Sequence, residues 1–291
     1  MVAVDAAGLA ALLAGTVLGG REVVTVNEMS LAVQCDAEEL WPAWLAARSV
    51  LEGSGRWPVL VAAFGDDAGE PWVQALGDGD GDGEWREGRA VQVVADSAGV
   101  DPWSVFTKYG VDEPMDEWEL GWAQDAVIIP ADVDVLRASR ATTRQLERLR
   151  LDRRVAASPR PPAQIELSPG ITERERVWFT PTRCPCAVVF LSTPTTWEAG
   201  ARLSFFGALD DERRAALVAA EREWSQRYGA ELVASWGTML QYRVTRRPTT
   251  VEQAWELAGQ HLAVGSSIQQ SQSDIALALL QSDYWFLHDR P

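Results

Sequence analysis

Two unbroken apolar runs constrain the fold most, because each predicts a strand buried inside a sheet. The runs are RWPVLVAAF at residues 56–64 and AVVFL at Ala187–Leu191. A continuous apolar segment of this length, bounded by turn residues, is typical of a buried strand. Such strands need helices packed on the sheet. We therefore assign the chain to the mixed α/β (α+β) class, with helices covering one face of the sheet.

The residues after Leu191 predict alternating helices and strands. Asp210 or Asp211 caps a long helix, and Gly229 ends it. Two strands follow at Glu231–Trp236 and Met239–Thr245. In the second strand apolar and polar side chains alternate, which is typical of a strand with one face in the core and one face in water.

The last fifty residues complete a split βαβ pattern. Thr250 and Gln253 form a capping box that starts one helix. A further helix covers Asp274–Leu280, and Tyr284–Leu287 is the final strand. The order strand, helix, strand, strand, helix, helix, strand is that of a ferredoxin-like sandwich with one extra helix. We predict this architecture for residues 171–291.

Prolines divide the chain into two predicted domains. Residues 156–170 predict a linker, because proline-rich segments rarely continue a helix or a central strand. Residues 1–155 then form an acidic mixed α/β domain, with a helix at Glu38–Leu51 and a strand at Val91–Ala95. A length of 291 residues suits two domains. The linker prolines are Pro159, Pro161, Pro162 and Pro169.

The negative charge lies mainly in the first half of the chain. Residues 1–155 hold 27 Asp and Glu against 13 Lys and Arg, whereas residues 156–291 hold 15 against 13. An acidic half repels phosphate backbones, which argues against nucleic acid as a partner. Negative charge attracts a basic protein, and it also keeps a chain soluble. Solubility is the favoured explanation of this charge, and a basic protein is the partner that it would attract.

Other features of the composition indicate a cytoplasmic protein. The three cysteines, Cys35, Cys184 and Cys186, are too few and odd in number for a disulfide framework, so we expect a reducing compartment. The apolar run from Ala6 to Gly20 lacks the preceding positive charge of a signal peptide. No other run has the length of a membrane span, so we expect no contact with membranes.

The segment LGDGDGDGEWREGRA at residues 76–90 resembles the opening of a calcium loop. Asp78, Asp80 and Asp82 fit the first ligand positions, and Gly83 fits the sixth. Arg89, however, occupies the twelfth position, where a calcium loop needs a bidentate glutamate. A mobile acidic hairpin tip is the favoured interpretation, and we predict no bound metal.

The remaining reactive residues do not form a recognisable catalytic set. Cys184-Pro185-Cys186 is spaced too tightly for half of a zinc site, and His261 and His288 are the only histidines. His288 with Asp289 needs a nearby serine or cysteine to make a triad. We predict no catalytic residues and no cofactor.

Acidic and basic residues interleave on the predicted helix after Asp210. Their spacing predicts ion pairs between residues four apart on a solvated helix face. The residues are Glu212, Arg213, Arg214, Glu221, Arg222, Glu223 and Arg227.

The C-terminal third resembles a bacterial family known only as domain of unknown function 4253. The resemblance covers roughly the last hundred residues. It is carried by TTWEAGARLSFFGALDDERRAALVAAEREWSQRYGAELVASWGTMLQYRV, by RRPTTVEQAWELA and by YWFLHD. The resemblance implies candidate binding residues where polar and aromatic landmarks remain, and it implies no particular activity. These candidates are Trp197, Glu198, Gln270, Trp285 and Asp289.

The chain departs from the family at three places. It has ALDD at residues 208–211 where the family shows Trp-Asn and Cys-Pro, and GSS at 265–267 where the family shows Cys-Pro-Asp. It ends in Leu287-His288-Asp289 where members tend to have two tryptophans and an aspartate. If those thiol and polar groups form a site in the family, that site is largely missing from this chain; if they serve only packing, the fold is retained without them.

Three functional hypotheses follow. The first is a non-enzymatic cytoplasmic protein that binds another protein; an immunity-type role, in which an acidic surface blocks a basic toxin, fits the charge. The second is a small-ligand-binding protein or hydrolase-like enzyme with a site among the five candidate residues. The third is a structural remnant whose family site has been lost.

Overall fold

The computed structural model describes residues 3–64, 69–76, 87–106, 143–165, 167, 179–181, 184–268 and 270–290. It confirms the mixed α/β class. One seven-stranded mixed sheet has the order β1-β2-β4-β3-β5-β6-β7. The strands are β1 (Val24–Thr25), β2 (Leu31–Cys35), β3 (Trp57–Ala62), β4 (Cys186–Leu191), β5 (Glu231–Ser235), β6 (Met239–Arg243) and β7 (Tyr284–His288).

Helices connect and cover the strands. Those before β4 are α1 (Ala6–Leu13), α2 (Leu40–Ser49), α3 (Leu51–Ser54), α4 (Val73–Leu76), α5 (Glu87–Asp96), α6 (Pro102–Val105) and α7 (Thr143–Ala157). Those after β4 are α8 (Thr196–Ala199), α9 (Asp211–Tyr228), α10 (Val251–Val264) and α11 (Gln272–Leu279). Among the described residues, no helix combines the length and the apolar composition needed to cross a membrane.

The sheet joins the two segments that the sequence assigned to separate domains. Strand β4, from the C-terminal segment, lies between β2 and β3 of the N-terminal segment and is antiparallel to both. Strand β3 also runs parallel to β5. The predicted boundary at residues 156–170 therefore does not separate two sheets. Within the linker, α7 continues to Ala157 and Pro162–Gln164 forms a 3-10 turn.

The ferredoxin-like topology is wrong although the predicted order of elements is present. In a split βαβ sandwich the four strands of residues 171–291 would make a sheet of their own. Here β3 is inserted between β4 and β5, and β5, β6 and β7 pair in sequence as an antiparallel meander. The order of elements along a chain does not specify the pairing of strands from distant segments.

Helices cover both faces of the sheet, not one face as predicted. Val59 and Val189 are paired across β3 and β4, and they join the core beneath α9, α10 and α11. The next pair, Leu60 and Val188, points to the opposite face and packs beneath α1 and α2. The side chains on both faces of these two strands are thus buried, which explains why the segments are apolar without interruption.

Seven of the ten tryptophans that the structure describes are buried in this core. Trp44 lies beneath the sheet on the α2 side, and its indole N–H donates to the Pro58 carbonyl at 3.1 Å. Trp224 of α9 packs on the other face against Trp285 of β7. The buried tryptophans are Trp44, Trp57, Trp72, Trp224, Trp236, Trp255 and Trp285. Their burial removes tryptophan content as an argument for a protein-binding surface.

Local signals located the helix ends well. The Asp210 carboxylate accepts from the Arg213 N–H, Gly229 ends α9 in the left-handed conformation, and Thr250 caps α10.

The strand predicted at Val91–Ala95 is wrong, because those residues belong to α5. The Asp-Gly run at residues 77–86 lies outside the described residues.

Replacing Gly229 with alanine is expected to destabilise the fold more than replacing Gly237. Both glycines have positive φ, at 62° and 79°, so either alanine carries a left-handed backbone cost of about 1–2 kcal/mol. A Cβ at residue 229 would also overlap the Thr245 Oγ1, whereas a Cβ at residue 237 would meet nothing within 4 Å.

Urea unfolding measures the difference. We expect G229A to lose about 1 kcal/mol or more beyond the loss in G237A, because the Thr245 side chain must move as well. Equal losses in the two variants would show that the close packing of α9 against the segment after β6 is not as described.

Candidate functional site

A pocket lies between α11 and β7, which is the edge strand of the sheet within the described part of the chain. We call it the α11–β7 pocket. Together with the open solvent at its mouth, it contains about 570 Å³ of space not occupied by protein atoms. The lining is mostly apolar, with a few polar side chains. It consists of Leu167, His261, Ile268, Gln270, Asp274, Ile275, Ala278, Leu279, Ser282, Tyr284, Trp285 and Phe286.

Short-range hydrogen bonds hold α11 over the edge strand. The Ser271 hydroxyl accepts from the Asp274 N–H and caps the helix. The Gln272 side chain donates to the Trp255 carbonyl at 2.9 Å and ties α11 to α10. After the helix, the Ser282 hydroxyl accepts from the Tyr284 N–H. The pocket walls are therefore fixed by elements that the sequence specifies locally.

Gly265 brings the loop after α10 against the end of β7. A Cβ at this position would lie 2.8 Å from the His288 nitrogen and 3.0 Å from its carbonyl oxygen. The residues after Gly265 also lie against the end of β7, since the Ser267 N–H donates to the His288 carbonyl at 3.0 Å. Only a residue without a side chain allows this close approach.

His261 forms part of the inner wall and is neutral. The side chain is 2% exposed. Its Nδ1 lies 2.8 Å from the Leu257 carbonyl, which can only accept, so Nδ1 carries the proton. Burial lowers the pKa of the imidazole to about 4, because water no longer stabilises the charged form. The buried Nε2 is an acceptor that has no hydrogen-bond partner among the described residues.

Trp285 stands beside His261 and carries the complementary group. The two rings meet edge to face with centroids 5.0 Å apart. The indole N–H is buried and has no acceptor among the described residues. Leaving a buried donor without a partner costs about 1–3 kcal/mol, so such groups usually have a role. Two residues of the pocket lining thus carry a buried ring nitrogen, one a donor and one an acceptor, without a hydrogen-bond partner among the described residues.

The charges around the pocket are compensated. The Asp274 carboxylate accepts from the Arg154 guanidinium at 2.6 Å and from the Ser271 hydroxyl at 3.0 Å. No Lys or Arg is among the lining residues that the structure describes. The site therefore lacks the cation that would recognise a carboxylate or a phosphate.

The five predicted site residues divide between three places. Gln270 and Trp285 line the α11–β7 pocket. Trp197 lies on α8, with the Arg222 guanidinium 4.2 Å from its ring centre. Glu198, also on α8, accepts from the Thr193 hydroxyl at 2.6 Å. Neither residue of α8 contributes to the pocket lining, so the structure does not bring the five together.

Asp289 belongs to a polar cluster at the end of β7. Its carboxylate accepts from the Ser266 hydroxyl at 2.7 Å and from the Ser267 hydroxyl at 3.3 Å. Neither of these hydroxyls donates to the His288 ring. A serine, a histidine and an acid are therefore neighbours here, but they are not linked in the order that activates a nucleophile.

The sequence analysis did not predict that one acidic residue of α9 is buried. Glu221 was assigned to the solvated face of α9, yet it is 3% exposed. Its Oε1 accepts from the Tyr242 hydroxyl at 2.7 Å, and its Oε2 packs against Gly200, where a Cβ would overlap it. Glu221 falls on the same helical stripe as Leu217 and Trp224, and that position is the signal that could have identified it.

Burial keeps Glu221 protonated at neutral pH. Loss of hydration raises the pKa of this carboxyl to about 8, and the Tyr242 hydrogen bond offsets only part of the effect.

Among the described residues, no three His, Cys, Asp or Glu side chains are arranged to hold a metal ion.

Residues 187–289 match the model of a family described as Domain of unknown function (DUF4253). This match confirms the resemblance for the C-terminal part of the chain. It covers the α11–β7 pocket except Leu167, and it covers Glu221 and His261. No curated protein and no solved structure matches the chain.

Replacing Glu221 with glutamine is expected to flatten the dependence of stability on pH. The folded-state pKa of Glu221 lies above the unfolded value, so its protonation supports folding at low pH. That support is lost as the pH rises from 4.5 through 8. Between pH 5 and 9 the wild type should lose on the order of 2–4 kcal/mol through this group, and E221Q should not.

Thermal unfolding across that pH range provides the measurement. E212Q is the control, because Glu212 is an exposed residue of the same helix. Its slope should follow that of the wild type. If E221Q and the wild type decline in parallel, Glu221 does not carry the buried proton.

Proposed function

We propose that the C-terminal part of the chain binds a small, uncharged, largely apolar molecule in the α11–β7 pocket. One observation carries this proposal: His261 and Trp285 both line the pocket, and each has a buried ring nitrogen, one an acceptor and one a donor, without a partner among the described residues. Ligand sites are typically apolar concavities in which a few polar groups fix orientation. A molecule with a donor and an acceptor close together would satisfy both groups.

The chemistry of the wall favours a neutral amide or a similar group. The Trp285 indole can only donate, and the His261 Nε2 can only accept while the ring is neutral. A primary or secondary amide offers both complementary functions within one planar unit. The apolar residues of the pocket would then cover the rest of the ligand, at about 25 cal/mol per Å² of apolar surface buried.

Binding is better supported than hydrolysis. The lowered pKa of His261 makes its imidazole a weak base at neutral pH. The only serine in the described lining, Ser282, already accepts from the Tyr284 N–H, and no hydrogen bond links it to His261. These features support a binding protein, which agrees with the non-enzymatic reading of the sequence.

Three probes of the same shape and different charge test the proposal: benzamide, benzoate and benzamidinium. We expect benzamide to bind in the millimolar range or tighter, because a ligand of this size gains about 0.3 kcal/mol or more per heavy atom. The two ions should bind at least tenfold more weakly, because each loses hydration without a counter-charge. Ligand-observed NMR titration measures all three.

Trp285→Phe is the test variant, because it retains an aromatic ring and removes the N–H donor together with the second ring of the indole. It should weaken benzamide about tenfold, the value of one hydrogen bond. Ser266→Ala, at the polar cluster after α10, should leave benzamide binding unchanged because Ser266 does not line the pocket. Equal binding of the three probes, or no binding of benzamide, would contradict the proposal.

Binding of a basic protein is the second candidate, and the surface around α1 and α2 favours it. Every acidic residue of residues 3–64 is exposed: Asp5, Glu22, Glu28, Asp36, Glu38, Glu39 and Glu52. The arginines of this segment are engaged. Arg21 pairs with Asp36 and Glu39, Arg48 pairs with Glu231, and Arg56 donates to backbone carbonyls.

The same surface exposes apolar side chains, including Leu12, Val17 and Leu45. Acidic and apolar groups together suit a basic partner that contributes apolar anchors. An immunity-type role in the cytoplasm is one form that such binding would take.

Affinity capture at two salt concentrations tests this candidate. The full chain should retain a basic protein at 50 mM salt and lose most of it at 300 mM, because charge attraction is screened. The double variant E38K/E52K should lose the partner at both concentrations. The control E212K/E256K changes the charge by the same amount on the opposite face of the sheet and should retain it. If the amount of captured protein changes neither with the salt concentration nor in E38K/E52K, this surface is not the binding site.

A further inference from the structure

The chain's three cysteines gather at one end of the sheet. Cys35 is the last residue of β2, and Cys186 is the first residue of β4. They are direct partners in the antiparallel register of the two strands. Both side chains belong to the core beneath α1 and α2, and Cys184 packs against the same core. All three are free thiols.

The register alone places Cys35 and Cys186 within bridging distance. Directly opposed residues of an antiparallel pair have Cα atoms about 4.5 or 5.5 Å apart, depending on whether they exchange hydrogen bonds. Disulfides span Cα separations of about 4.4–6.8 Å. Both values fall within this range. The two side chains also lie on the same face of the sheet, so a bond between them needs no change of register.

Cys184 is a poorer partner although it is nearer in sequence. One residue, Pro185, separates it from Cys186, and the proline ring fixes the backbone between them. The Cys186 thiol donates to the Cys184 carbonyl at 3.4 Å, so it is directed to the backbone of that residue. A bridge within this tripeptide would have to distort that rigid segment, whereas the loss of the Cys186 S–H contact is common to both possible bridges.

We propose that Cys35 and Cys186 form a two-electron redox pair, closed to a disulfide by a hydroperoxide and reopened by a dithiol. In the forward reaction the Cys35 thiolate attacks one oxygen of hydrogen peroxide. The O–O bond breaks, and hydroxide leaves with the displaced electron pair. The Cys186 thiolate then attacks the Cys35 sulfenic sulfur and expels a second hydroxide. The two thiol protons convert these hydroxides to water, so two thiols and one peroxide give one disulfide and two waters.

The position of the two cysteines at the end of the β2–β4 pairing sets the rate at which they are oxidised. Burial raises the pKa of both thiols to about 12, so the closed structure holds few thiolates. The Cys35–Cys186 rung is the last of the β2–β4 pairing, and terminal rungs open more readily than central ones. Oxidation should therefore be slow in the native protein and faster when the rung is loosened.

The bridge would link covalently the strands that join the two halves of the chain. It connects residue 35 of the N-terminal segment to residue 186 of the C-terminal segment, across the pairing that builds the centre of the sheet. A cross-link closing so long a stretch of chain restricts the unfolded state strongly. Oxidation would then stabilise the fold without moving the native backbone.

Hydrogen peroxide treatment of the full chain, followed by alkylation, denaturation and peptide mass spectrometry, tests the proposal. We expect a Cys35–Cys186 cross-linked peptide, loss of two of the three titratable thiols, and an alkylated Cys184. Addition of 1 M urea should accelerate the reaction severalfold. The oxidised protein should melt roughly 5–10 °C higher than the reduced one, and dithiothreitol should reverse the shift.

Cys184→Ser should form the same bridge, whereas Cys35→Ala and Cys186→Ala should each abolish it. The cross-linked peptide of the wild type decides the question even if an alanine variant fails to fold. A Cys184–Cys186 linkage, cross-linked dimers, or oxidation of single thiols to sulfinic acid without a bridge would overturn the proposal.

Discussion

The pairing of β4 with β2 and β3 is the interaction on which the rest of the structure depends. It inserts a strand from residues 186–191 into the sheet begun by residues 24–62, and it buries both faces of the central strands. Once this sheet exists, the α1–α2 layer and the α9–α11 layer each have a surface to cover. The edge position of β7, and with it the α11–β7 pocket, follows from the meander that extends the sheet on the far side of β3.

The layer above β5, β6 and β7 contains more polar chemistry than its apolar character suggests. Trp224 lies at its centre and contacts Tyr242, His261 and Trp285. Glu221 and His261 are both buried in neutral form, the carboxyl protonated and the imidazole carrying a single proton on Nδ1, because the dry environment disfavours either charge. Glu221 has a hydroxyl partner and a structural explanation. The buried ring nitrogens His261 Nε2 and Trp285 Nε1 have no partner among the described residues, and both side chains line the α11–β7 pocket, which is why the proposed function is placed there.

Sequence reasoning succeeded where the signal is local and failed where it depends on distant pairing. The caps at Asp210 and Thr250 and the terminator Gly229 depend on a few neighbouring residues, and they were predicted in place. Nothing local reveals that β4 pairs with strands more than a hundred residues earlier, so the ferredoxin-like topology predicted for residues 171–291 was wrong. The unbroken apolar runs did carry a sign of it, because a strand buried on both faces needs covering on both. Gln270 and Trp285 were candidates through the family resemblance, whereas the unpartnered Nε2 of His261 required coordinates.

Nitrogen-15 NMR of the His261 imidazole at pH 7 tests the central claim most directly. The chain has two histidines, so His288→Gln leaves a single pair of ring-nitrogen signals to assign. The account predicts a neutral ring protonated at Nδ1, and an Nε2 signal that shifts towards the hydrogen-bonded position when benzamide is added. It also predicts that the ring stays neutral down to about pH 5, because burial lowers its pKa to about 4. A ring that is charged at pH 6, or an Nε2 signal that benzamide leaves unchanged, would contradict a ligand site at this wall.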